Sequence, residues 1–436
     1  MRRIKPFEIV VSFLLLTIYG VQTAYFYFLS DDSFISFRYA RNLVEGHGLA
    51  WNPGQFVEGY TNFLWTLMMA AVLKLNLAPE LWSNIISISC ALLLLFLISN
   101  FARKRITTNF IWLFPLSVCA VSRSFPAWSS SGLETMLFAL LLFAASSSLL
   151  DALQNRGTLL WSACLFLLLC LCRPEGLLFS GFAFCFIAYS FVKKDIGLKS
   201  GFTWVFPLML GVGVHFLWRH AYYGEWLPNT FYAKVPGLWF SQGFRYLSLI
   251  QSDYQFGWFM PCLLIVPLIK RDKTSLYFSL IILLQLLYVL AIGGDRFEFR
   301  FLVPFFGFYL LLIAEALDIF WQRYNQDASL TFVVVVLWFG LLGTTLYGSH
   351  KKSASKQRYG VASIQGIRRY ATSRAWEGKF LRRLVEKKLI PNDTILCVGG
   401  AGALPYYSRL TTIDRRGLSD HYLARLPLTH RGIIAH

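Results

Sequence analysis

The sequence has few acidic residues and almost no charge inside its long apolar stretches. Aspartate and glutamate number 23 against 41 lysines and arginines, while 56% of the 436 residues are hydrophobic. A soluble globular chain is about 45–50% apolar. The excess is concentrated in runs of about 20 residues, the length that crosses the hydrocarbon core of a bilayer. This composition excludes an ordinary soluble protein and predicts a polytopic α-helical membrane protein.

Metal-binding and redox spacings are also missing. None of the eight cysteines forms a Cys-x-x-Cys pair or a Cys/His cluster. All but Cys397 lie in or beside apolar runs, so we interpret them as small buried residues. No internal repeat is visible, and charges near the middle of the runs are rare. Both absences disfavour an ion-coupled transporter.

The first apolar run, residues 9–29, lacks the small-residue cleavage site of a signal peptide. It is also longer than the apolar core of a signal peptide, which is about 7–15 residues. We therefore expect it to remain as the first membrane helix. About eleven runs are expected to span the membrane: 9–29, 80–101, 108–122, 133–152, 158–172, 177–192, 202–218, 256–270, 274–293, 301–320 and 329–348.

The net charge of +18 would suit nucleic acid if it formed one surface patch. Instead the cations lie in short loops, where they orient the chain and contact anionic lipid headgroups, so no nucleic-acid partner is expected. Alternate loops are basic, which places the N-terminus in the cytoplasm and the C-terminus outside. Residues 62–77 are too few to span the membrane. Counting them as a span would place the basic loop 103–105 on the outer side of the membrane. We therefore expect a re-entrant or interfacial helix there, on the outer face.

Two adjacent aspartates, Asp31 and Asp32, stand where the first run ends. The following residues, 33–45, alternate apolar and charged positions like an amphipathic helix on the membrane surface. One aspartate suffices as the N-cap of that helix. The second then carries a like charge beside the first, which raises the pKa of one of them and suits a general base. From the residues alone, both capping and catalysis stay open.

The other loops on the outer side gather polar and aromatic side chains. Candidates for a phosphate or sugar are Arg173, Arg219, His220, Asn229, Tyr232, Lys234, Arg296 and Arg300. Candidates for an acceptor or a supporting role are Arg38, His47, Glu58, Tyr60, Asn62, Glu134 and Glu175. Arginine forks match phosphate oxygens, and aromatic rings stack on sugars.

Each candidate also has a simpler interpretation. Glu134 would cap the fourth span, Arg173 would pair with Glu175, and Asp295 and Glu298 would neutralise the neighbouring arginines. The tyrosines and tryptophans would anchor the chain at the interface. Taken together, however, acids, bases and aromatic residues collect at one membrane face. That distribution favours an enzyme working at the outer interface.

The first outer loop carries a resemblance to a known family. It reads DDSFISFRYARNLVEGHGLAWNPGQFVEGYTNFLW, from Asp31 to Trp65. It resembles the first outer loop of the GT-C superfamily of polytopic glycosyltransferases, which use polyprenyl-phosphate sugars. It is most similar to the branch with the mycobacterial terminal arabinofuranosyltransferases. The similarity recurs at GLETM, RPEGL, YYGEWLPNTFYAKV, RFLVP and VGGAGALPYYSRLTTIDRRGLSD.

The resemblance implies a GT-C-like membrane module over residues 1–348, with two juxtamembrane helices in the first outer loop, 31–79. It also implies a bacterial cytoplasmic membrane and an inverting transfer, in which Asp31 or Asp32 is the catalytic base. The donor would be a polyprenyl-phosphate sugar and the acceptor an envelope glycan or lipid. Arginine, lysine or a divalent metal must then stabilise the leaving phosphate. The sequence does not decide whether a metal takes part.

The polar tail, residues 349–436, is expected to form a small α/β domain outside, either complete or lacking a terminal strand or helix. GGAGALP (399–405) resembles a dinucleotide loop, but we expect its proline to break the helix start such a loop requires. We expect this segment to follow a strand over 394–398. We interpret Asp414 and Asp420 as solvated loop residues, with contact to the acceptor glycan as the alternative. Alternatives to an enzyme are a non-catalytic subunit for envelope-polymer assembly and a lipid-linked glycan flippase.

Overall fold

The computed structural model describes residues 5–154, 156–234, 237–324, 328–353 and 358–427. The helices of the first half are α1 (Pro6–Tyr25), α2 (Ser33–Val44), α3 (Phe63–Lys74), α4 (Pro79–Arg105), α5 (Phe114–Val121), α6 (Ser124–Ser129), α7 (Thr135–Leu153), α8 (Leu159–Cys172), α9 (Glu175–Val192) and α10 (Leu198–Tyr223). Those of the second half are α11 (Asn229–Lys234), α12 (Phe240–Tyr254), α13 (Cys262–Lys270), α14 (Lys273–Ile292), α15 (Phe306–Tyr324), α16 (Ala328–Ser353) and α17 (Ile364–Glu386).

All eleven expected spans are helical in whole or in part. Seven described helices are long and apolar enough to cross a membrane: α1, α4, α7, α9, α10, α14 and Val303–Tyr324, which extends α15 by one 3-10 turn. Three of the other four appear as shorter apolar helices, Ile111–Val121, Leu159–Cys172 and Phe256–Lys270, and the fourth lies in α16, which includes the apolar stretch Val336–Gly348. The prediction of a polytopic α-helical membrane protein is confirmed.

Charged side chains gather at two ends of the helical bundle. At the first, named the Arg105 end, Arg105 pairs with Glu315 and Asp272. Lys273, the residue after Asp272, pairs with Asp195. The basic loops after α4, α9 and α13 therefore meet at one end, as the alternation of loop charge predicts. The other end carries the paired aspartates and is named the Asp31 end.

Two short helices, α2 and α3, follow α1 at the Asp31 end and pack against each other. The helix expected over 62–77 is present as α3. The first juxtamembrane helix expected in this loop is present as α2, but it is covered by protein and not exposed, because nearly every residue from Ser33 to Asn42 is buried. One side of α2 packs on α3 and another is covered by the C-terminal tail. Its polar residues therefore bond to protein instead of water.

The tail folds over the Asp31 end. It contains α17 and a parallel pair of strands, β1 (Ile395–Val398) and β2 (Thr411–Asp414), joined through α18 (Ala403–Ser408). The expectation that Pro405 prevents a helix start is wrong. Pro405 lies in the first turn of α18, where the N–H that proline lacks has no intrahelical partner in any case. Contacts between α18 and α2 seat the tail on the membrane module.

Candidate active site at the Asp31 end

Asp31 lies where the chain passes from α1 to α2, beneath the tail. Only 3% of its surface is exposed, and its Oδ1 accepts a 2.8 Å hydrogen bond from the backbone N–H of Ala403. Burial raises the pKa of Asp31 to about 6; the Ala403 N–H opposes this rise and the neighbouring charge of Asp32 adds to it. The carboxylate therefore exchanges its proton near neutral pH, as a general base must.

Asp32 occupies the N-cap position of α2, but its side chain makes no capping hydrogen bond. Its Oδ1 instead accepts a 2.8 Å hydrogen bond from Nη2 of Arg296. Neither aspartate side chain therefore caps α2, which was the simpler interpretation of this pair from the sequence. Asp31 binds the start of α18, 372 residues away, and Asp32 forms an ion pair.

Cations surround this pair. Burial lowers the pKa of Lys234, Asp32 opposes that effect, and Arg296 and Arg300 add to it. Arg300 also pairs with Asp295 at 2.7 Å. The structure thus brings Lys234, Arg296 and Arg300, three of the predicted phosphate-binding residues, into one electrostatic cluster with Asp32. Such a cluster suits an anionic group.

A second polar group is built around Arg173. Arg173 pairs with Glu175 at 2.8 Å and lies 3.6 Å from Glu134, whose other oxygen accepts a 2.8 Å bond from Asn62. The simple pairing of Arg173 with Glu175 is therefore present. Glu134 makes no cap bond to α7. The guanidinium groups of Arg173 and Arg300 both lie over the ring of Phe301. The polar residues around Arg173 therefore adjoin the cationic cluster that contains Arg300.

The stretch from Arg219 to Tyr232 mainly contacts other partners. Arg219 makes a bidentate pair with Glu58, and the His220 ring stacks on Trp226 with centroids 3.7 Å apart. The Asn229 amide donates to the carbonyls of Gly417, Leu418 and Asp420. Tyr232 lies under the guanidinium of Arg425. Arg219 thus joins the first loop to α10, Asn229 and Tyr232 join the tail to α11, and His220 packs within its own segment.

The remaining first-loop candidates divide into buried supports and an exposed residue. Arg38 donates four hydrogen bonds, three to backbone carbonyls and one to Asn52, so four of its five N–H donors are bound by protein. Tyr60 is buried and accepts a hydrogen bond from Tyr223. His47 is exposed. The structure thus gives Arg38 and Tyr60 supporting contacts.

An apolar groove of about 180 Å³ opens beside the Glu58–Arg219 pair. Its walls come from α3, α8, α9 and α10 and include Phe63, Pro174, Leu177, Val212, Phe216 and Leu227. The groove therefore combines an apolar wall with a charged rim at the Asp31 end.

Sequence reasoning missed several residues of this region. Arg123 is fully buried and pairs with Glu298 at 2.6 Å and with Asp253 at 3.0 Å. A lone arginine after an apolar run was the available signal. The interpretation of Asp414 as solvated is wrong: it is 1% exposed and accepts hydrogen bonds from the N–H groups of the turn that follows it. Asp420 accepts from the Leu423 N–H.

The described acidic and histidine side chains of this region are not arranged as metal ligands. Among the described residues, no group of three or more His, Cys, Asp or Glu side chains is placed to hold a metal ion. Asp32 and Asp295 are each paired with an arginine, and Asp31 binds a backbone N–H. These residues therefore fit guanidinium and ammonium partners better than a metal.

Comparisons with known proteins support the fold. No protein-family model matches the chain. It is 25% identical over 267 residues to a terminal β-(1→2)-arabinofuranosyltransferase of Mycobacterium tuberculosis, and this match spans only 40% of that relative. Two crystal structures of ArnT from Cupriavidus metallidurans, one bound to undecaprenyl phosphate and one apo, give TM-scores of 0.59 and 0.58 at 12% and 13% identity. Each covers 93% of this chain and 85% of ArnT. The chain is an integral membrane protein with the fold of ArnT, as the GT-C-like expectation requires.

Proposed function

We propose that the protein is an inverting glycosyltransferase that transfers a sugar from a polyprenyl-phosphate donor to a cell-envelope glycan or a lipid-linked acceptor. The observation that carries the proposal is a buried carboxylate, Asp31, beside a carboxylate paired with the cationic cluster of Lys234, Arg296 and Arg300. The proposed base, Asp31, thus lies next to the proposed site for the donor phosphate. The arabinofuranosyltransferase relative and the undecaprenyl phosphate bound to ArnT support this chemistry.

In the proposed reaction Asp31 accepts the proton of an acceptor hydroxyl. That oxygen bonds to the anomeric carbon while the bond between this carbon and the phosphate oxygen breaks. Polyprenyl phosphate leaves with the electron pair, and its negative charge is stabilised by Arg296, Lys234 and Arg300. This single displacement inverts the configuration at the anomeric carbon. The apolar groove beside Arg219 is a suitable path for the first isoprene units of the donor.

We further propose that the protein resides in a bacterial cytoplasmic membrane with the Asp31 end outside. The loops that meet at the Arg105 end are the basic ones, which the positive-inside rule assigns to the cytoplasm. In that orientation the tail lies in the periplasm and the acceptor glycan reaches the site from the envelope.

The function is tested with purified protein in lipid vesicles. Polyprenyl-phosphate arabinofuranose is the first donor, because the relative transfers arabinofuranose; other pentoses and hexoses on the same lipid follow. Envelope glycan fragments serve as acceptors, and the product linkage is read by mass spectrometry and NMR. We expect release of polyprenyl phosphate together with an inverted glycoside. Absence of transfer from all these donors would refute the proposal.

Arg296→Gln is expected to raise the KM for the donor by about 10- to 100-fold, because a hydrogen bond to a charged group contributes about 1.5–3 kcal/mol. Steady-state kinetics against donor concentration measure this change. Arg382→Gln, which breaks an exposed pair with Glu386 on α17, is the control and should leave the donor KM unchanged. An unaltered donor KM in Arg296→Gln would contradict a phosphate site at the cluster.

The pH dependence of transfer should show an acid limb near pH 6, because the pKa of Asp31 is raised to about 6. The base acts in its ionised form, so activity is present above this pH and falls about tenfold per pH unit below it. The ratio kcat/KM for the donor, measured across acidic and neutral pH, checks this because it reports the pKa of the free enzyme. An acid limb at the ordinary aspartate pKa of about 3.9 would argue against Asp31 as the base.

A further inference from the structure

The tail approaches Asp31 with a short loop, residues 399–402, which joins β1 to α18, and with Tyr370 and Arg374 of α17, which interact electrostatically with the carboxylate. Ala403, the first residue of α18, donates its N–H to Asp31 Oδ1 at 2.8 Å. Among the described residues, the other carboxylate oxygen, Oδ2, accepts no hydrogen bond from protein. One oxygen of the carboxylate is thus held, and the other keeps its lone pairs for a proton.

The loop comes this close because residue 402 has no side chain. A Cβ added to Gly402 would lie 2.0 Å from the Asp31 carbonyl oxygen and 2.5 Å from its Oδ2. Gly402 has φ −103°, so the reason for glycine is space and not a left-handed backbone. A Cβ at Gly400 would lie 2.3 Å from the hydroxyl of Tyr370 and 3.4 Å from Asp31 Oδ2. Backbone from the tail therefore covers part of the carboxylate and limits its contact with water.

The loop and α18 are fixed to the helix that begins next to Asp31. Arg38 of α2 donates to the carbonyls of Pro405 at 2.7 Å and Leu410 at 3.0 Å. Arg41, one turn further along α2, donates to the Tyr406 carbonyl at 2.8 Å. The carboxylate and the loop that covers it are thus attached to one frame, which limits their relative movement.

Resting on the proposed function, we propose that Gly402 and Ala403 are positioning residues for the base. The Ala403 N–H holds Oδ1, the glycine loop limits the number of water molecules at the carboxylate, and the exposed part of Oδ2 receives the proton of the acceptor hydroxyl. Asp31 remains the catalytic residue. The tail is then a part of the catalytic centre, which is assembled from residues near both ends of the described chain.

The test is Gly402→Ala. The added Cβ forces the loop away, which breaks the Ala403 bond and admits water to Asp31. Because burial is the largest cause of the raised pKa, its loss outweighs loss of the bond, and the pKa falls toward the ordinary value. We expect kcat to fall about 10²-fold, as misplacement by about 1 Å can cause. The acid limb should move to lower pH, while the donor KM stays unchanged.

Gly417→Ala is the matched control in the same tail. Gly417 has φ +75°, and a Cβ there would lie 2.6 Å from the Ala424 nitrogen, with no contact to Asp31. It should lower the unfolding temperature and leave the acid limb in place. Arg41→Gln loosens the loop without a new steric contact and should shift the limb in the same direction, by less. This variant keeps the test valid if Gly402→Ala does not fold.

The outcomes separate this proposal from the function it rests on. If the unaltered protein transfers no sugar, the proposed function fails. If it transfers sugar and both Gly402→Ala and Arg41→Gln keep the kcat and the acid limb of the unaltered protein, the positioning role is overturned. A shift of the limb in Gly417→Ala equal to that in Gly402→Ala would also overturn it, because the effect would then be general strain in the tail.

Discussion

Replacing Asp31 with asparagine is expected to lower kcat by about 10²- to 10⁴-fold, the usual contribution of a general base. The amide oxygen of asparagine can still accept the Ala403 N–H, so the loop contact and the fold should be retained. The amide cannot take up a proton. Transfer rates at saturating donor and acceptor, together with size-exclusion and thermal-unfolding profiles, measure both parts of the expectation.

Asp32→Asn separates the two aspartates. It weakens the ion pair with Arg296 without removing the proposed base, so the donor KM should change more than the acid limb. Asp393→Asn, at an exposed aspartate of the tail, should change neither. If Asp31→Asn keeps its activity and Asp32→Asn loses it, the base is Asp32. If both retain full activity, a non-catalytic role in envelope assembly becomes the better account.

Much of the architecture could be predicted because it follows from local sequence. Apolar runs predict the membrane helices, and the charge of the loops predicts which of them lie at the same end of the bundle. Two adjacent aspartates at the end of an apolar run mark a candidate site. The cations Lys234, Arg296 and Arg300 were also found from residue type and loop position. These inferences need only the sequence on either side of the residue concerned.

The rest depends on contacts between distant segments. Asp31 meets Ala403 across 372 positions, and Asn229 meets Leu418 across 189. Helical periodicity identifies two faces of α2 but does not tell whether lipid, water or a domain covers the polar one. For the same reason the partners of Arg38 and the burial of Asp414 were not predictable, since each depends on where the tail packs.

Replacement of the buried Arg123 with methionine is expected to destabilise the protein by about 3–5 kcal/mol, as removal of one partner of a buried ion pair does. Arg123 lies between Glu298 and Asp253, and also donates to the Gly348 carbonyl. Without it, two buried carboxylates lose a counter-charge, although Arg358 still pairs with Asp253. Thermal unfolding in detergent, followed by tryptophan fluorescence, measures the loss.

Charge imbalance and lost packing make different predictions for a compensated variant. In Arg123→Met combined with Glu298→Gln and Asp253→Asn, the buried carboxylates are neutral, so part of the stability should return. If the triple variant is no more stable than Arg123→Met, packing and the bond to Gly348 dominate. Glu45→Gln, which breaks the exposed pair with Arg409, is the surface control and should cost about 0–0.5 kcal/mol.

Arg123 should also affect transfer, because Glu298 belongs to the segment that carries Arg296 and Arg300. Asp253, its second partner, binds Arg358 at the start of the tail, and Ala362 beyond it donates its N–H to the Arg296 carbonyl. Arg123 thus connects two regions. One is the loop that carries the proposed phosphate ligands, and the other is the tail, which carries the loop that covers Asp31. At a temperature where Arg123→Met remains folded, we expect a raised donor KM together with a shifted acid limb. A stability loss with unchanged kinetics would confine Arg123 to folding.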